Sequence, residues 1–141
     1  MTKYCTDSSY GTVDNKTVLD PEDDAAHVHI GGDCRMPTET EFNELINACN
    51  TRWVTNYNGS GINGCLFTLK TDPSKTLFFP ASGYLDKTSW GGAGSLGYCW
   101  SSSLYSSNSY YGRRLYFGSS NCYMNGGNRY SGWPVRAVKP K

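Results

Sequence analysis

Gly92-Ala93-Gly94-Ser95-Leu96-Gly97 matches G-x-G-x-x-G, the spacing that lets a backbone approach a pyrophosphate at the start of a helix. That chemistry needs an aliphatic strand before the glycines and a helix after them. Neither is present, since Tyr98-Cys99-Trp100-Ser101-Ser102-Ser103 follows, and the segment reads as a Gly-rich connection. His27 and His29 form an H-x-H pair, whose imidazoles would converge on a metal if they lay on a strand. At a helix end they diverge by roughly 200°, which suits solvent-facing or capping histidines. The acids from Asp20 to Asp24 lack the alternation of a calcium loop and fit the start of a helix. The serines at 101–103 would need a nearby base for nucleophilic work, but the chain has only two histidines and no G-x-S-x-G elbow. A glycosidase-type carboxylate pair depends on spatial placement, which spacing leaves open. The six cysteines (Cys5, Cys34, Cys49, Cys65, Cys99, Cys122) form no C-x-x-C, against a zinc ribbon or a thioredoxin-like motif, and free, mostly buried thiols are expected. No catalytic residue, cofactor or metal site is expected.

The chemistry that does concentrate is that of contact. Residues 105–132 number 28, of which six are Tyr, six Ser, four Asn and five Gly, while Lys, Asp, Glu, Gln and Trp are absent. Tyr gives large amphipathic contact area at low entropy cost, and Ser, Asn and Gly give adaptable hydrogen bonds and a permissive backbone. Arg113, Arg114 and Arg129 add planar donors able to stack on rings or grip anions. A disordered linker would lack this Tyr density and the embedded Leu115-Tyr116-Phe117.

Elements must position such a surface. Asp20 offers an N-cap for a helix with Pro21 at its first position, ending at Gly31-Gly32. Thr38-Glu39-Thr40-Glu41 spells a capping box, and Phe42, Leu45, Ile46 and Cys49 then recur at i, i+3, i+4 and i+7, a stripe that should pack on a sheet. Cys65–Leu69 and Thr76–Phe79 flank Thr71-Asp72-Pro73-Ser74-Lys75 as a hairpin. Leu115–Phe117 and Val135–Val138 are further strand candidates, and Gly-rich connections at 91–97 and 118–132 lie between the strand candidates. The order predicts one α+β domain spanning 1–141, two helices followed by small antiparallel sheets and long irregular C-terminal loops. The halves carry opposite charge: residues 1–86 hold twelve acids and six bases, and 87–141 hold seven bases and no acid. The bases form no continuous run, against nucleic acid as a partner. The first thirty residues contain no apolar run of about 7–15 residues and the chain no apolar stretch of about 18, so neither a signal peptide nor membrane insertion is expected.

Six ordered blocks carry a resemblance: "LDPEDDAAH" (19–27), "GGDCRMPT" with Glu41-Phe42 and Leu45 (31–45), "LFFPASGY" (77–84), "GYCWSSS" (97–103), "RYSG" (129–132) and "VRAVK" (135–139). Over residues about 17–139 the chain resembles the major paralogous domain family of Bacteroidetes and their phages, close to the target proteins of diversity-generating retroelements. The resemblance implies a C-type-lectin-like fold and a ligand-binding, non-enzymatic role, receptor-binding or adhesin-like. It implies display on a cell surface or virion toward a protein or glycan on a cell surface. It also implies adenine-directed mutagenesis of chosen codons, which yields Tyr, Ser, Asn, Gly, Arg, Cys or His but not Lys, Glu, Gln, Trp or Met while the third base stays a pyrimidine. Met124 is the exception within 105–132.

On the family's frame, Trp100 to Leu104, Leu115, Phe117, Arg129, Gly132, Val135 and Arg136 are scaffold. The expected ligand-binding positions are Tyr105, Ser107, Asn108, Tyr110, Tyr111, Arg114, Tyr116, Gly118, Asn121, Tyr123, Asn125, Gly126, Gly127, Asn128, Tyr130 and Ser131, joined by Arg113 and Trp133, a surface spanning about 105–133. Cys34 and Cys99 stand where the family has aromatic residues. The Glu-Pro-Asn and Trp-Asn-Asp motifs of calcium-dependent lectins are absent from the sequence. A structural module of a cell-surface or virion assembly, without a diversified ligand site, is the alternative.

Overall fold

The computed structural model describes residues 1–140. Its helices are α1, Ala25–Ile30, and α2, Glu39–Ala48. The acidic run begins as a single 3-10 turn, Pro21–Asp23, and the cap of α1 is Asp24 instead of Asp20. The Asp24 carboxylate accepts from the amides of Ala26 and His27 at 2.9 and 3.1 Å and also from Met36 N at 2.9 Å. Asp20 is drawn to Lys16 at the surface. A carboxylate that caps a helix and also holds the next segment is buried and fixed there, which decides where this short helix starts.

The capping box of α2 forms as spelled: Thr38 Oγ1 accepts from Glu41 N at 3.2 Å, and the Glu41 carboxylate accepts from Thr38 N at 2.8 Å. Arg35 adds a forked pair to the same carboxylate, at 2.6 and 2.7 Å. Glu41 is thereby held well below the usual carboxylate range, at about 2, chiefly by the Arg35 guanidinium.

The strands form three antiparallel sheets. β1 (Cys49–Val54), β2 (Gly64–Leu69) and β3 (Thr76–Pro80) make the first, in that order. β2 and β3 are the expected hairpin, whereas β1 continues directly from α2 as an edge strand whose Asn50, Thr51 and Arg52 are exposed. β4 (Tyr84–Asp86) and β5 (Ser89–Gly91) form a short hairpin. β6 (Gly97–Leu104), β7 (Tyr111–Phe117) and β8 (Cys122–Asn128) form the third sheet.

Two expectations are corrected here. The segment 118–132 is no mere connection, because Cys122–Asn128 pairs with β7 along its whole length. Met-Asn-Gly-Gly-Asn has little strand propensity, and the ladder with β7 is what holds it extended. Val135–Val138 is no strand: it makes one bridge, Val138 to Arg35. The edge of β6 that it would join is already occupied. Pro134 O takes Trp100 N at 2.9 Å, Pro37 O takes Ser102 N at 2.9 Å, and the N-terminal segment bridges Val18 to Ser103.

The core lies between α2 and the two larger sheets. Phe42 of α2, Cys65 and Phe67 of β2, Phe79 of β3, and Cys99, Leu115 and Phe117 of the third sheet are buried together. The Phe79 ring sits 5.2 Å from Phe67, 6.1 Å from Phe117 and 6.4 Å from Phe42. All six cysteines are free, and burial pushes the Cys99 thiol up to about 12. Gly97, the last glycine of the G-x-G-x-x-G match, has a packing reason: a Cβ there would lie 1.9 Å from the Phe117 ring. The serines at 101–103 are structural too. Ser101 Oγ donates to Arg113 O at 2.8 Å, and Ser103 Oγ accepts from Glu39 N at 2.9 Å, serving the first turn of α2.

Candidate ligand surface

Antiparallel register places Cα partners on the same face, and successive residues on opposite faces. Cys99, Leu115 and Met124 are in register, as are Phe117 and Cys122, and these face the core. The other parity therefore faces outward: Tyr98 pairs with Tyr116 and Tyr116 with Tyr123, while Trp100 pairs with Arg114 and Arg114 with Asn125. Ring centroids run 5.4 Å from Tyr98 to Tyr116 and 5.1 Å from Tyr116 to Tyr123, a row of Tyr side chains across three strands. Such tilted neighbours are mutually attractive and rigid.

Trp133 folds back over this face from the segment after β8. It packs 4.3 Å from Trp100 and stacks 5.8 Å from Tyr98, and Tyr84 of β4 meets Tyr98 edge-on at 5.5 Å. The Arg114 guanidinium lies 3.9 Å from the Trp133 ring and 4.6 Å from Tyr98. Burial among these rings lowers the Arg114 pKa and raises that of Tyr98. Trp133 Nε1 is buried with no hydrogen-bond partner among the described residues. Tyr84, Asp86, Tyr98, Arg114, Asn128, Ser131 and Trp133 line a cleft of about 260 Å³. Space for this cleft depends on Gly127, where a Cβ would lie 2.1 Å from the Trp133 ring.

The positions expected to bind ligand thus fall into four places. Arg114, Tyr116, Tyr123, Asn125 and Gly127 lie on the outer face, with Asn128, Tyr130, Ser131 and Trp133 continuing from it. Asn128 Nδ2 donates to the Tyr130 hydroxyl at 2.9 Å, and Tyr130 is 71% exposed. Tyr105, Ser107, Asn108 and Tyr110 form the β6–β7 turn, with Tyr111 at the start of β7. Gly118 and Asn121 close the β7–β8 turn at the opposite end, where Gly118 N donates to Asn121 O at 2.9 Å. A strand of seven residues separates the two turns by roughly 20 Å.

Arg113 and Gly126 face the other side of the sheet, beside the N-terminus of α2. Arg113 pairs with Glu39 and stands 5.0 Å over the Tyr105 ring, and a Cβ at Gly126 would meet that same ring at 2.8 Å. Arg129 joins the N-terminal segment to the β6–β7 turn, donating to Tyr4 O at 3.1 Å and to Ser109 O at 3.0 Å. That segment also braces the β6–β7 turn: Thr6 N donates to Ser109 Oγ at 3.0 Å, and Tyr10 packs 4.7 Å from Tyr110.

Sequence reading missed Tyr84, Asp86 and Tyr98 as members of this surface. The alternation of Tyr98 and Trp100 with Cys99 and Ser101 was a signal for the last of them, once Gly97–Leu104 is known to be a strand. Tyr84 and Asp86 arrive only through the Leu85 to Gly132 bridge, which no local pattern announces. No protein-family model, curated protein or solved structure matches the chain. No helix among the described residues is long and apolar enough to cross a membrane.

Proposed function

We propose that this chain is a non-enzymatic ligand-binding domain of the retroelement-diversified kind, with a C-type-lectin-like fold, displayed on a cell surface or virion to engage a protein or glycan on a cell. One observation carries the reading. Along β7 and β8 the residues that pyrimidine-ended adenine mutagenesis does not produce or the frame holds fixed, Leu115, Phe117 and Met124, pack toward the core. Of those it does produce, Arg114, Tyr116, Tyr123 and Asn125 alternate with them and point away, whereas Arg113, Cys122 and Gly126 lie on the inner side. Met124, anomalous in composition, is therefore ordinary in position. A surface whose variable positions alternate with a fixed frame can change its ligand without changing its core.

Sequencing the 3′ end of the gene across a population tests the diversification: substitutions should fall at Arg114, Tyr116, Tyr123, Asn125, Tyr130 and the two turns, and spare Leu115, Phe117 and Met124. Uniform sequence at the outward positions would favour a structural module instead. Binding is tested with fluorescently labelled chain on candidate host cells. Replacing Tyr116 and Tyr123 together by Ala should remove most of the bound signal while the chain stays folded.

A further inference from the structure

Arg114 is unlike the other half-buried arginines of this chain. Arg35 is paired with Glu41, Arg113 with Glu39, and Arg129 with main-chain carbonyls. Arg114 makes one long hydrogen bond to the main chain, Nε to Gly126 O at 3.4 Å, and neighbours the Tyr98 hydroxyl, but no carboxylate among the described residues lies within ion-pair distance of it. Its plane is held against Trp133 and Tyr98, at 3.9 and 4.6 Å. A partly desolvated cation without a counter-charge destabilises the unliganded protein, and an anion that reaches it recovers that free energy. The guanidinium fork matches a carboxylate with two parallel hydrogen bonds.

The cleft beside Arg114 specifies more than an anion. Asp86, Asn128 and Ser131 line it as well, and its volume of about 260 Å³ is at the small end of small-molecule sites. The Asp86 carboxylate accepts hydrogen bonds, so it is satisfied by an O–H or N–H donor and repels a second carboxylate. Asn128 and Ser131 both donate and accept. A ligand meeting all of these carries one carboxylate and, on the same compact frame, several hydroxyls. An acidic peptide brings the carboxylate and main-chain N–H donors, but not several donor-acceptor groups clustered on one compact ring. We propose that this cleft holds one residue of an acidic sugar, its carboxylate on Arg114 and its hydroxyls on Asp86, Asn128 and Ser131, with the Tyr row beneath the adjoining part of the chain. This rests on the reading of the outer face as the ligand surface.

The test is an NMR titration of the whole chain with methyl β-glucuronoside, methyl β-glucoside and a short Glu-rich peptide, following backbone amides and the indole signals. Saturable shifts confined to residues 84–86, 98, 114 and 128–133 are expected with the uronoside, at an affinity at least about tenfold above that for the neutral glucoside or the peptide. Arg114→Gln should bring the two sugars to equal affinity. Arg114→Lys, which keeps the charge and loses the fork, should fall between, and provides a folded variant if the first is unstable. Equal affinity for both sugars in the wild type, preference for the peptide, or no saturable shift overturns the proposal. If the uronoside fails while labelled chain still binds cells in a Tyr116- and Tyr123-dependent way, the sugar inference falls and the ligand-binding reading stands. Loss of both removes the two together.

Discussion

Gly127→Ala adds one methyl group to a position where variation is expected, and the structure makes it costly. The backbone is not the obstacle, since Gly127 is not in the left-handed region; the obstacle is that the new Cβ would lie 2.1 and 2.3 Å from two Trp133 ring atoms and 2.7 Å from Arg114 Nε. Those distances are impossible, so the Trp133 ring must leave its place. Leaving forfeits its packing on Trp100 and Tyr98, about 0.5–1.5 kcal/mol for each aromatic pair, and its contact with Arg114, about 0.5–2 kcal/mol. The loss of backbone freedom in the unfolded chain works the other way by about 0.4–1 kcal/mol. The balance is about 0.5–4.6 kcal/mol of destabilisation, bracketing the roughly 1–3 kcal/mol typical of overpacked cores, which corresponds to a drop of about 3–12 °C in Tm. Urea unfolding followed by Trp fluorescence measures it, with near-UV circular dichroism reporting the Trp133 environment. Two controls make the reasoning sharp. Gly126→Ala, one residue away on the other face, meets only the partly exposed Tyr105 ring at 2.8 Å and should cost less than about 1 kcal/mol. In a Trp133→Ala background the Gly127→Ala penalty should nearly vanish, which a double-mutant cycle reads directly. A Gly127→Ala chain within about 0.5 kcal/mol of wild type, with unchanged near-UV signal, would refute the assigned packing. Under the proposed diversification, residue 127 is expected to stay Gly wherever residue 133 is Trp.

Asp24→Ala removes one carboxylate that serves the amides of Ala26, His27 and Met36 in a buried setting, so stability should fall by about 2–4 kcal/mol in urea unfolding, while Asp20→Ala should cost under about 1 kcal/mol. Glu41 gives a pH dependence with a definite sign: its folded pKa, about 2, lies below the ordinary value of 4.5, so its stabilisation is fully present above about pH 5 and is lost as pH falls through 4.5 toward 2. With side chains 36% exposed on both partners, solvent screening discounts the pair to about 1 kcal/mol. Glu41→Gln, which keeps an acceptor for Thr38 N, should show that deficit at pH 7 and close most of it by pH 2.5; an undiminished gap at low pH would assign the cost to packing.

What was legible in the sequence was local. The Thr38 capping box and the Phe42, Leu45, Ile46 stripe fix α2 because the capping-box contacts lie within four residues, with Ser103 and Arg35 only adding to them. The β2–β3 hairpin was legible because its apolar runs flank a turn sequence. The family resemblance also separated Leu115 and Phe117 from the tyrosines around them, and their alternation along β7 agrees with that division.

What the sequence left open depends on chain segments far apart. Asp24 displaces Asp20 as the cap because it also holds Met36, twelve residues on. β8 is a strand because β7 supplies its ladder, despite glycines and asparagines that favour turns. The paratope-like stretch is one compositional block in sequence, yet pairing divides it into an outer face, two turns about 20 Å apart, and the Arg113–Tyr105 contact on the other side. Arg113 and Arg114 are adjacent and chemically identical; only the pleat sends one to Glu39 and leaves the other without a counter-charge on an aromatic face. Residue order determined which side chains this surface can display, and the tertiary pairing decided which of them meet, because a strand's faces acquire meaning only when a core covers one of them.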